Sequence, residues 1–225
     1  MFTFGTLEHV SNMAQVRGTP ASGKTTLAKL LHSYILLREP EAIVTRVPSW
    51  RRQETLMNKG GWRQWLVNVW NAQDGSVLIV DEAQTSYWDD DFWGMVKDID
   101  QDSKFRIITF ASYGSTGVDT SRMTPHSPYR NQIVGLHPTD YGDGIAVGLL
   151  LTKAEFLDFV TKKFSGHRFD KAFLDSIYDL TAGHVGACKD VLNIIQAHDV
   201  SPYTQNTHLR NYNLTYATVI SLAQK

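Results

Sequence analysis

The chain has 225 residues, 42% of them hydrophobic and 20% charged, which fits one α/β domain with a small accessory domain, or two compact units. Its 22 lysines and arginines against 23 acids leave a formal charge of −1, so charge balance gives no support to nonspecific binding of nucleic-acid backbones. Nor does any apolar run approach the roughly 20 residues of a membrane helix. The single Cys188 excludes an internal disulfide and, within a helical pattern, reads as a buried thiol. Eight histidines without ligand spacing point to no structural zinc. The start, MFTFGTLEHV, lacks the basic lead and sustained apolar core of a signal peptide, so the sequence reads as a mature domain or an intracellular protein.

After a lead-in over 1–14, a short strand is predicted at 13–17, weakened by Gln15 and Arg17 within its apolar run. It runs into Gly18, Thr19, Pro20, Ala21, Ser22, Gly23, Lys24 and Thr25, which match the phosphate-loop pattern G-x-x-x-x-G-K-[ST] without a mismatch. Each residue type answers a chemical need. Glycines let successive backbone amides turn inward on an anion, Lys24 adds a point charge for the β and γ phosphates, and the Thr25 hydroxyl suits Mg²⁺. The loop amides as far as Thr26 and the positive end of the following helix serve the same anion. In that helix Leu27, Leu30, Leu31, Tyr34 and Ile35 fall at the spacing of one buried face, and Pro40 ends it near Arg38.

A second strand is predicted at 42–47. A helical pattern follows over 49–70, with Trp62, Trp65 and Trp70 as core residues and Arg51 and Arg52 on a solvated face. Val77, Leu78, Ile79 and Val80 form a continuous apolar run, as expected of a central parallel strand covered on both faces. That run ends in Asp81 and Glu82, where open α/β sheets bind ligands. Asp81 is placed to hold Mg²⁺ through water, and Glu82 to orient and deprotonate the water that attacks a γ phosphate. Asp89, Asp90 and Asp91 read as the cap of a helix over 92–99, since negative charge favours a helix start. Another buried strand, 105–111, leads to Ser112, which reads either as a γ-phosphate sensor beside the acidic strand end or as a turn former.

The punctuated stretch 116–130 is too long to be idle in a compact domain, and Arg122 or Arg130 could reach a phosphate from it. A further strand at 132–136, a turn-rich stretch at 137–144 and an apolar stretch at 145–151 complete the α/β core, assigned to 1–150. Thr152 and Glu155 form a capping box that opens a helix with Phe156, Phe159 and Val160. Helices at 170–180 and 186–197 follow, and the break between them puts Gly183 and His184 at a helix N-terminus. Residues 151–198 are therefore a small helical lid, and the polar 199–225 a tail or linker. The fold class is an α/β P-loop NTPase with a central, mostly parallel sheet.

Taken together, Arg17 to Ala28, Val80 to Trp88 (VDEAQTSYW), Phe110 to Ser115 (FASYGS), Gly148 to Phe156 (GLLLTKAEF) and Leu180 to Gly186 (LTAGHVG) resemble the P-loop NTPase domain of the Crinkler effector family. They span residues from about 14 to 198. The resemblance implies an AAA-like ATPase core, with an additional strand in its sheet, and a helical lid carrying Gly183 and His184 near the nucleotide. It also implies a secreted effector acting inside a host cell, in places its nucleus, with a host nuclear protein or DNA as partner. Family members are typically longer, with an N-terminal translocation region and often a C-terminal effector domain, neither of which is evident in this sequence. The functional expectation is an ATP- and Mg²⁺-dependent NTPase of slow turnover, GTP not being excluded as the nucleotide. A nucleotide-operated interaction switch, acting on a host protein or by self-association as a homo-oligomer, is the second reading, and an NTP-driven nucleic-acid remodeller the third. No membrane partner is expected.

Overall fold

A computed structural model describes residues 12–50, 64, 75–97, 105–113, 132–140, 146–166 and 169–199. By internal contacts the chain divides into two units, Met1–Leu150 and Leu151–Lys225.

The first unit is built on a five-stranded parallel sheet. Its strands are β1 (Met13–Gly18), β2 (Val44–Val47), β3 (Val77–Val80), β4 (Arg106–Ser112) and β5 (Ile133–Val134), in the order β2-β3-β4-β1-β5. β4 is thus inserted between β1 and β3, pairing Val16 with Phe110 on one side and Leu78 with Ile107 on the other. Because side chains alternate along a strand, each strand feeds two cores. Leu78 and Val80 join Met13, Ile107, Phe92 and Trp93 on one face, while Val77 and Ile79 join Val16, Ile108, Phe110 and helix α1 (Lys24–Arg38) on the other. All four residues of β3 are fully buried, as a continuous apolar run requires of a strand covered on both sides. Each such side chain contributes about 1.5–3 kcal/mol.

Two details depart from the sequence pattern. The buried face of α1 is Lys24, Ala28, Leu31 and Ile35, with Leu27 and Tyr34 partly buried. Leu30, predicted on that face, is 54% exposed, because it lies about 200° around the helix from Ala28. The strand weakened by polar residues does form. Gln15 is buried, accepts a 2.7 Å hydrogen bond from Arg17 Nε and bonds the Tyr87 hydroxyl, so the polar side chains of β1 find partners instead of breaking the strand.

After β3 a short 3₁₀ turn, Ala83–Ser86, leads to helix α2 (Asp90–Lys97). Asp89 caps α2 by accepting from Phe92 N at 3.0 Å, and its other oxygen accepts from Trp50 Nε1 at 3.0 Å. Burial pushes this carboxyl above the ordinary aspartate range, while those two bonds pull it back. A two-stranded antiparallel ribbon, β6 (Thr139–Asp140) with β7 (Ala146–Val147), completes the described part of this unit. The helical pattern predicted over 49–70 lies outside the described residues beyond Trp50, except for helical Gln64. Arg122, Arg130 and the tail from residue 200 lie outside them as well.

The second unit holds helices α3 (Lys153–Lys163), α4 (Lys171–Thr181) and α5 (Val185–Asp199). Thr152 and Glu155 make the reciprocal capping box of α3, and Asp170 caps α4. The core joins Phe156, Val160, Phe164, Leu174, Ile177, Leu192 and the buried thiol of Cys188. Ala182 (φ 48°) and Gly183 (φ 76°) make the left-handed turn between α4 and α5. A Cβ on Gly183 would stand 2.2 Å from the carbonyl oxygen of Leu151, whose own N–H donates to the Gly183 carbonyl at 2.9 Å. Gly183→Ala is therefore expected to destabilise this unit by at least about 2 kcal/mol, combining left-handed strain with a backbone clash. Thermal unfolding checks it, and an unchanged melting temperature would show that the turn relaxes freely.

Candidate functional site

The carboxyl ends of β1, β4 and β3 lie side by side and carry Gly18, Ser112 and Asp81. Gly18 and Ser112 are register partners. With strands about 4.8 Å apart, the loop after β1 and the acids after β3 face each other across roughly 10 Å, with the end of β4 between them.

On the β1 side the loop is set by two left-handed residues. Gly23 (φ 89°) is the N-cap of α1, and Ala21 (φ 59°) adopts the same region despite its Cβ, at roughly 1–2 kcal/mol. Gly23 has no side chain to accept from the first-turn amides of Lys24, Thr25 and Thr26, which leaves those donors to an anion. Lys24 is buried, and its Nζ donates to the carbonyls of Gly18 (3.1 Å) and Thr19 (2.8 Å). Burial pulls this ammonium below the ordinary lysine value, and the charges of Glu82 and then Asp81 raise it back. An anionic phosphate beside it would act in the same direction as those carboxylates. Ser22 Oγ is buried without a hydrogen-bond partner. The Thr25 hydroxyl, by contrast, belongs to an exposed residue.

On the β3 side Asp81 is buried, and its Oδ1 accepts from Glu82 N at 3.0 Å. Glu82 adopts a left-handed conformation (φ 50°, ψ 42°), strain of the kind that collects at functional sites. Its turn is braced from behind. The Glu82 carbonyl accepts from both Thr85 N and Thr85 Oγ1 at 2.8 Å, and the same hydroxyl accepts from Trp50 N at 2.8 Å. Trp88 Nε1 donates to the Trp50 carbonyl, and Trp93 Nε1 to the Ser86 carbonyl, so the aromatic cluster locks the turn to the core. One side chain unassigned in the sequence pattern stands here as well. Gln84 donates from Nε2 to Glu82 Oε2 and accepts from Ser112 N on Oε1 at 3.2 Å.

The residues present fit a triphosphate with a divalent cation. Among the described residues no group of three or more His, Cys, Asp or Glu gathers into a cage of its own. Thr25 and Asp81 would be the protein's hard oxygen donors to such a cation, a sparse set of the kind that suits Mg²⁺ completed by phosphate oxygens and water. Gly183 and His184 belong to the second unit, where His184 Nδ1 accepts from Ala187 N at 3.3 Å and caps α5.

No family model matches the sequence, and no curated protein matches it either. Solved structures do. Domain III of the Thermotoga maritima replication initiation protein DnaA aligns over 98% of this chain and 88% of its own, with a TM-score of 0.55 at 12% identity. AMPPCP-bound DnaA from Aquifex aeolicus aligns over 85% of this chain and 59% of its own, with a TM-score of 0.52 at 16% identity. The chain has the AAA+ P-loop NTPase fold. A third similar structure is RuvB, the Holliday junction branch migration motor of Thermotoga maritima, at TM-score 0.45 and 16% identity over 94% of this chain. The chain spans about three fifths of the length of RuvB and of the Aquifex DnaA. Within this AAA+ fold the inserted strand is β4, whose end separates the phosphate-binding loop from the acidic turn. No helix among the described residues is long and apolar enough to cross a membrane.

Proposed function

We propose that this AAA+ domain binds ATP with Mg²⁺ and hydrolyses it slowly. What supports it is geometric: at three adjacent strand ends an uncapped phosphate-type loop with a buried lysine stands two strands away from a buried aspartate and a strained glutamate. The same fold holding AMPPCP in the Aquifex DnaA supports it.

In this reading the amides from Thr19 to Thr26 and the Lys24 ammonium hold the β and γ phosphates, and Thr25 and Asp81 hold the cation. Magnesium, when bound, neutralises phosphate charge that builds up toward the transition state. Glu82 orients a water molecule and takes its proton on a carboxylate oxygen. Ser112, at the end of the inserted strand, senses the γ phosphate. Gly183 and His184 are proposed as the lid turn that reports nucleotide state.

The motifs shared with the Crinkler NTPase domain support a finer proposal, an effector domain whose conformational change acts on a host protein or on DNA. Phosphate release from ATP and from GTP, with Mg²⁺ and with EDTA, tests the reading. Release that needs Mg²⁺ is the expected result, and equal release in EDTA would overturn it. ATP binding without release, accompanied by a change in oligomeric state, would assign the chain to the nucleotide-operated switches.

A further inference from the structure

The backbone around Glu82 is fully committed. Its N–H donates to Asp81 Oδ1, its carbonyl accepts twice from Thr85, and Thr85 is tied to Trp50. The carboxylate is then the part of Glu82 left to be aimed, and Gln84 is bonded to it. Gln84 itself rides on a rigid turn. Ala83 is buried, its carbonyl accepts from Ser86 Oγ at 2.6 Å, and that hydroxyl also accepts from Trp93 Nε1 at 3.1 Å.

A primary amide is the side chain that presents an acceptor and a donor side by side, and both faces are used here. The N–H of Ser112 fixes Oε1 toward β4, which turns Nε2 toward Glu82. Asparagine is one methylene shorter, and glutamate at position 84 would set one carboxylate against another.

We propose that Gln84 is a positioning residue, one that aims the Glu82 carboxylate and ties it to the strand end carrying Ser112. This inference rests on Glu82 acting as the base in ATP hydrolysis. Through the Ser112 amide, a shift of the β4 end on meeting a γ phosphate reaches the base without passing through solvent.

Two variants separate the two halves of the bridge. Gln84→Glu keeps the acceptor for Ser112 N and removes the donor to Glu82, whereas Gln84→Met removes both at similar length. Both are expected to lower kcat at least tenfold and leave KM for ATP within twofold, in protein whose melting temperature is checked alongside. In a Glu82→Gln background neither is expected to lower the residual turnover further, because the group being aimed is gone. Full activity in Gln84→Glu, a rise in turnover, or losses that multiply with Glu82→Gln would each overturn the assignment while leaving ATP hydrolysis in place. A wild-type chain that binds ATP without turnover would remove the hydrolysis reading itself, and this role with it.

Discussion

Lys24→Ala is expected to weaken Mg·ATP binding at least 100-fold, about 2.8 kcal/mol, with little change in the fold. The size follows from where the ammonium sits. It is 6% exposed and bonded to the first two carbonyls of the loop, so its charge is desolvated before the ligand arrives. Hydrogen bonds from a charged donor contribute about 1.5–3 kcal/mol each, and with two of its three N–H groups given to loop carbonyls the ammonium keeps one for a phosphate oxygen, its charge acting on the others. The helix keeps Ala28, Leu31 and Ile35 of its buried face, so truncation costs the loop two carbonyl bonds and the phosphates their cation while the apolar core stays in place. Calorimetric titration of wild type and variant checks it. Equal affinity would take the loop out of the nucleotide site.

The second large effect is on turnover. Glu82→Gln is expected to slow phosphate release about 100-fold or more while ATP affinity stays within a fewfold, because a neutral amide can orient water and cannot accept its proton. The substitution suits the question because the amide retains an oxygen that can accept from Gln84 Nε2, and the left-handed turn is held by Asp81 and Thr85 in either case. Single-turnover measurements at saturating ATP separate the chemical step from binding. Equal rates in the two proteins would strip Glu82 of the base role and leave Asp81 as the functional acid of the pair.

Both effects concern residues that are legible in the sequence, for a definite reason. A phosphate loop is a local object, written in eight consecutive residues, and a strand buried on both faces shows itself as an unbroken apolar run from Val77 to Val80. Order in the sheet is not local. Nothing in the residues of Phe105 to Ser112 themselves says that this strand enters between β1 and β3; only the family resemblance implies the additional strand, and that insertion is what sets Ser112 against Gly18. Leu30 was misread because α1 is apolar on both sides, which erases the contrast a periodicity argument needs. Gln15 and Arg17 weakened a strand that in fact finds them partners.

Gln84 enters the sequence reading only as a letter of the VDEAQ motif, with no role, since its role depends on an amide 28 residues away at the end of β4. His184 gives the opposite case. Its place at a helix start is legible, and the structure adds a capping bond from Ala187 N to its Nδ1. Of the three acids read as a cap, Asp89 alone precedes α2, while Asp90 and Asp91 form its first turn; the second bond of Asp89, to Trp50, depends on the aromatic core closing over it.

In the proposed site one triphosphate and one divalent cation are enclosed between Lys24 and Thr25 on one side and Asp81 on the other. Mn²⁺ in place of Mg²⁺ makes the enclosure directly measurable, through the magnetic coupling of the ion to phosphorus nuclei in protein loaded with a non-hydrolysable ATP analogue. The account expects strong manganese–phosphorus coupling in wild type, lost together with analogue binding in Lys24→Ala, and manganese affinity lowered at least tenfold in Asp81→Asn. Manganese that shows no coupling to phosphorus, or that binds equally well without Asp81, would contradict it.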